Sequence, residues 1–128
     1  MSIDVATGIV RILKQEGIEW VSTFPVCRVN NALGQEGVPM VMMRDDRYAV
    51  ALADAFSRIT AGQRIGVCTF QGGVNAAGMQ YAYAGMAQAY EDGTPVLCIT
   101  DGVPIGGSQN SQYDVVSAMK TVSKWFGY

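Results

Sequence analysis

Two neighbouring carboxylates, Asp45-Asp46, and a double glycine, Gly72-Gly73, are the residues of this chain best placed to do chemistry. The aspartates lie where a strand should end and a helix begin. There a carboxylate can hold or transfer a proton, or it can cap free helix amides with support from the helix dipole. The glycines can bring backbone amides close to a ligand at the next helix start, or they can simply make a tight turn. Spacing alone leaves both alternatives open at both places. Gln71, Gln109 and Gln112 are polar loop residues with no distinguishing pattern. The sequence has no histidine, which excludes Ser-His, Cys-His and His-ligated zinc chemistry within it. No GxGxxG and no GK[ST] phosphate loop occurs.

Positioning these residues requires a packed domain, and the composition provides for one. The chain has 128 residues, 49% of them hydrophobic and 16% charged, enough for a single domain with its own core. Nine basic against eleven acidic side chains give a net charge of −2, without the Lys/Arg cluster that nucleic acid or an anionic membrane surface requires. Apolar runs break off well short of the ~20 residues of a bilayer span. Met1-Ser2-Ile3-Asp4 lacks the basic patch and apolar run of a secretion signal. A cytoplasmic protein with no membrane and no nucleic-acid partner is expected. Cys27, Cys68 and Cys98 are odd in number and widely spaced, as reduced core thiols would be.

Elements alternate along the chain. Val5 to Glu16 places Val5, Ile9, Ile12 and Leu13 on one helical face, with Gly17 at the C-terminal stop. Strands are expected at Trp20–Phe24, Pro39–Met43, Arg64–Thr69 and Pro95–Thr100. Helices are expected at Arg28–Gln35, at Arg47–Ala61 (with Tyr48, Leu52, Ala55, Phe56 and Ile59 sharing a face), from Val74 to about Glu91, and around Val115–Thr121. Val103–Gln112 should be a loop. Apolar strands alternating with helices predict an α/β fold, a parallel β-sheet with helices on both faces. Ligands of such sheets bind at the carboxyl ends of the strands. Those ends carry Thr23–Cys27, Arg44–Asp46, Thr69–Gly73 and Asp101–Pro104.

The order of these segments resembles a known family. Arg44-Asp45-Asp46-Arg47-Tyr48-Ala49-Val50-Ala51-Leu52-Ala53-Asp54-Ala55-Phe56-Ser57-Arg58 is similar to the R-H-E-x-x-A-x-x-M-A-x-G-Y-A-R segment of thiamine-diphosphate-dependent enzymes such as acetolactate synthase, benzoylformate decarboxylase and oxalyl-CoA decarboxylase. Gly17–Val21 with Pro25 resembles their G-V-x-x-V-F-G-x-P-G, and Thr69–Gly73 their T-x-G-P-G. Gly85–Asp92 with Thr94–Leu97 resembles G-x-A-x-A-x-x-D-x-x-P-x-L, and Asp114 with Ser123-Lys124-Trp125 the D and T-K-W near the domain's end. These matches run collinearly over nearly the whole chain.

The resemblance implies the N-terminal pyrimidine-binding (Pyr-type) thiamine-diphosphate fold, with residues 1–128 as a single, C-terminally incomplete domain. It implies thiamine diphosphate as cofactor and a 2-oxoacid substrate that is decarboxylated or carboligated. The family's activating glutamate corresponds to Asp46, one methylene shorter. Pro25, Val26, Thr69, Gln71, Gly72 and Gly73 would lie against the pyrimidine, and Phe70 and Gln71 on the substrate side. Magnesium and the diphosphate are held in the family by a G-D-G…N-N segment absent from this sequence. The chain is therefore expected to be a fragment or subunit that works with a diphosphate-binding domain in a homo- or hetero-oligomer, and not alone. The alternative is a regulatory or structural subunit that no longer activates cofactor.

Overall fold

Short apolar runs bounded by proline or glycine form the strands. In the computed structural model, which describes residues 3–73, 77–102 and 114–127, these are β1 (Val21–Thr23), β2 (Met40–Met42), β3 (Gly66–Phe70) and β4 (Val96–Thr100). They make one sheet in the order β2-β1-β3-β4, with every pair parallel. The register sets Ser22 opposite both Val41 and Cys68, and Cys68 opposite Cys98. Parallel neighbours need crossovers, which α2 (Arg28–Gln35), α3 (Asp46–Ile59) and α4 (Ala77–Glu91) supply. Helix α1 (Val5–Gln15) precedes the sheet and α5 (Val115–Lys120) follows it.

Successive strand residues point to opposite faces, and each face has its own core. Val67 and Ile99 pack with Val10, Leu13, Val29 and Leu33 beneath α1 and α2. Cys68 and Phe70 pack with Ala49, Val50, Ala53, Met79 and Met119 beneath α3, α4 and α5. The fold is thus the expected α/β sheet covered on both faces. The chain runs from β1 outward to β2, then returns across the sheet to β3 and β4. The strand order therefore reverses between β1 and β3, and the crevice of such a fold opens there.

Two helices bury a different face from the one their large side chains suggest. On α3 the core face is Ala49, Val50, Ala53 and Ser57, while Tyr48 is half-exposed and Ile59 is 82% exposed. Small side chains let α3 lie close to both the sheet and α4, while Tyr48 and Ile59 point outward and Phe56 packs edge-on against Trp20. On α1 the buried residues are Val10 and Leu13, with Val5 and Ile12 exposed. Strand β2 is an edge strand whose three residues are all exposed. The expected Val103–Gln112 loop and the first turn of the helix expected from Val74 fall outside the described residues. An open trough of about 1960 Å³ follows β4 from Gly73 and Asp101 down to Trp20 and Phe56. Its lining among the described residues does not include Asp46. No described helix is long and apolar enough to cross a membrane.

Candidate functional site

The two aspartates divide the roles that their sequence left open. Asp45, in extended conformation, is the N-cap of α3 and accepts the Tyr48 N–H at 2.9 Å. Asp46 is then the first helical residue and is free of capping duty. Its side chain is buried, 3% exposed, and its Oδ1 accepts the main-chain N–H of Gln71 at 2.8 Å. The first turn of a helix favours a negative charge electrostatically. Among the described residues, no donor reaches the second carboxylate oxygen.

The β3–α4 turn is built around that carboxylate. Gly78, in the first described turn of α4, leaves the space in which Asp46 sits, because a Cβ there would collide with Asp46 Oδ1 and with Gln71. Gly72 is equally constrained: a Cβ would overlap Thr100 Oγ1 and the Asp101 carbonyl. The close approach lets Gly73 N–H donate to the Asp101 carbonyl at 2.8 Å, and Thr100 Oγ1–H donate to the Phe70 carbonyl at 2.9 Å. The double glycine thus makes a tight turn pressed against the end of β4.

Across the switch point, Pro25 and Val26 are exposed at the end of β1, and Val26 is 70% exposed. Val26 adopts φ 72°, the left-handed region that a β-branched side chain rarely enters. Directly after it, Cys27 is the N-cap of α2 but offers no side-chain cap bond. The acceptor comes instead from β4: the Arg28 N–H donates to both Asp101 oxygens, at 3.2 and 3.1 Å, and the Cys27 thiol lies 3.9 Å from Oδ1. Burial, with the nearby Asp101 charge adding to it, pushes the Cys27 thiol up to about 11. The Cys68 thiol is also raised, by its hydrogen bond to Cys98 at 3.5 Å and by burial, so both stay protonated near neutrality.

Of the residues expected to touch a ligand, Asp46, Pro25, Val26, Gln71, Gly72 and Gly73 gather around the crevice. Thr69 and Phe70 do not reach its surface. The Thr69 hydroxyl is buried, donating to Asn30 Oδ1 at 2.6 Å and lying 2.7 Å from the Thr23 hydroxyl. Phe70, expected on the substrate side, is 1% exposed and belongs to the core beneath α3. Parity explains this displacement: β3 residues alternate between faces, and Phe70 shares the inward side of Cys68. Asn30, Gly78 and Asp101 went unassigned in the sequence. Only Asp101 had a signal there, its place at a strand's carboxyl end.

Asp46, the glycine turn and the Pro25-Val26 loop flank the switch point between β1 and β3, where such a fold has its crevice. It offers a carboxylate with one oxygen uncommitted among the described residues, an apolar rim from Pro25 and Val26, and a glycine turn that keeps backbone close. No group of three or more Cys, Asp or Glu placed to hold a metal occurs among the described residues. A protein of Methanocaldococcus jannaschii named "Probable acetolactate synthase large subunit" is 27% identical over 125 residues, covering 93% of this chain and 20% of that protein. The chain therefore spans about a fifth of that relative's length. Residues 3–121 match the family described as thiamine pyrophosphate enzyme, N-terminal TPP binding domain. The match takes in every strand of the sheet and every loop of the crevice, and the chain belongs to this family of N-terminal thiamine-pyrophosphate-binding domains.

Proposed function

We propose that this chain forms the pyrimidine-binding side of an acetolactate-synthase-like enzyme that decarboxylates or carboligates a 2-oxoacid. The observation that carries the reading is the Asp46 carboxylate, held by the Gln71 amide at the end of the sheet where the strand order reverses. Thiamine diphosphate, when bound, supplies the electron sink for chemistry at a 2-oxoacid carbonyl. Asp46 accepts or shares a proton at a ring nitrogen of the pyrimidine. Its fixed Oδ1 leaves Oδ2 for that contact. Pro25 and Val26 bear on the ring from the β1 side, and Gln71, Gly72 and Gly73 from the β3 side. Burial of Asp46 excludes water from the carboxylate and strengthens any bond it makes. Magnesium and the diphosphate belong to a second domain or subunit, and among the described residues no group of three or more Cys, Asp or Glu is placed to hold a metal. The working unit is then an oligomer or multidomain assembly in the cytoplasm.

One observation favours a second reading, a non-catalytic subunit of the same fold. Asp46 is one methylene shorter than the family's glutamate and already satisfies an internal amide. Isothermal titration of thiamine diphosphate with Mg²⁺ into the intact assembly, followed by assay of 2-oxoacid consumption, separates the two. Saturable binding with turnover supports the enzyme. Binding without turnover supports the non-catalytic subunit, and no binding contradicts both.

A further inference from the structure

The loop that carries Pro25 and Val26 is tied locally by the Asn30 side-chain amide, which donates to the Phe24 carbonyl at 3.0 Å, but it has no side-chain cap of its own where α2 begins. Val26 is in the left-handed region, and Cys27 contributes no cap to the helix that follows. Helix starts of this kind are usually fixed by a Ser, Thr, Asp or Asn at the N-cap itself. Here the acceptor arrives from 73 residues further along, as Asp101 takes the first amide of α2 on both carboxylate oxygens. A negative charge at that place also suits the helix dipole.

The same residue holds the opposite wall. Its main-chain carbonyl accepts the Gly73 N–H, and its neighbour Thr100 donates to the Phe70 carbonyl. The double-glycine turn and the Pro25-Val26 loop, which flank the switch point, are thus both referenced to the end of β4. The Gln71 amide in turn fixes Asp46. We propose that Asp101 is a positioning residue of the cofactor crevice, holding the β1–α2 loop in its strained conformation and setting its distance from the glycine turn. This rests on the crevice being the pyrimidine site.

The test uses the intact assembly and two titrations for each variant, thiamine diphosphate with Mg²⁺ and inorganic diphosphate with Mg²⁺. Asp101→Ala is expected to weaken thiamine diphosphate by about tenfold or more, the worth of one charge-assisted hydrogen bond. Inorganic diphosphate, held away from this chain, should bind unchanged. Asp101→Asn keeps one acceptor oxygen but loses the charge and the second oxygen, and should bind thiamine diphosphate with an affinity between those of Asp101→Ala and wild type. A folded Asp101→Ala protein that binds thiamine diphosphate as tightly as wild type overturns the proposal, as does equal weakening of both ligands. If Asp101→Ala does not fold, Asp101→Asn decides. A small weakening confined to thiamine diphosphate supports the positioning role, and wild-type affinity for it overturns the role. A wild-type assembly that binds no thiamine diphosphate overturns the underlying site, and this role with it.

Discussion

Asp46 and Gln71 lie 25 residues apart and are joined by one hydrogen bond, 2.8 Å from a main-chain N–H to a buried carboxylate oxygen. That bond brings the start of α3 against the end of β3. A carboxylate on one crossover helix thereby enters the crevice made by two other loops. Replacing it removes both a reactive group and a structural tie, and the two losses separate by measurement. Asp46→Ala should lower turnover by about 10²-fold or more, the range for a lost acid–base group. It should also cost about 1–3 kcal/mol in urea unfolding for the unsatisfied Gln71 amide.

Gly78 makes room for that carboxylate. Gly78→Ala should displace Asp46 Oδ1 and Gln71 at a cost of about 1–3 kcal/mol, as overpacking does. Thiamine diphosphate should bind more weakly to this variant. Unaltered affinity and stability would show that the space is not needed.

Val26 stores strain. Its left-handed conformation costs about 1–3 kcal/mol, more than the ~0.5–1 kcal/mol of backbone entropy that glycine adds. Val26→Gly should therefore raise stability by about 1 kcal/mol in chemical denaturation. Where Val26 bears on the ring, cofactor affinity should fall in the same variant.

Thr69 is predicted to act through structure alone. Thr69→Val leaves Asn30 Oδ1 without its donor and should cost about 1–3 kcal/mol. Cofactor affinity measured well below the melting temperature should not change. A selective loss of affinity would return Thr69 to the ligand.

Alkaline pH should destabilise the fold through Cys27. The folded thiol titrates near 11 and the unfolded one near its ordinary 9.0, so the unfolded chain gives up its proton first. The stability is fully present below pH 9 and is lost as pH rises through 11. At 1.36 kcal/mol per unit, the full loss is about 3 kcal/mol. Urea midpoints from pH 8 to 11 should fall less steeply for Cys27→Ser than for wild type.

The sequence carried the layering of this fold because parallel strands are apolar along their length and helices are periodic. All four strands lie where runs such as Arg64–Thr69 and Pro95–Thr100 suggested, within a residue or two at each end. It carried Asp46, Pro25 and the glycine turn because they sit at strand ends in a collinear pattern. Helix rotation was harder to see. Tyr48 and Ile59 are large and evenly spaced, yet α3 buries its alanines, since close packing rewards small side chains as well as apolar ones. The ties that hold the crevice were invisible for a related reason. The bonds from Asp101 to Arg28 and from Asn30 to Thr69 join residues 73 and 39 apart, and no local spacing encodes them.

The most direct test of Asp46 as the activating carboxylate is the rate of hydrogen–deuterium exchange at the thiazolium carbon of thiamine diphosphate bound to the intact assembly. Wild type should exchange far faster than free cofactor, and Asp46→Ala should lose about 10²-fold or more of that rate while still binding. Equal exchange in the two proteins, with cofactor bound to both, would contradict the role given to Asp46.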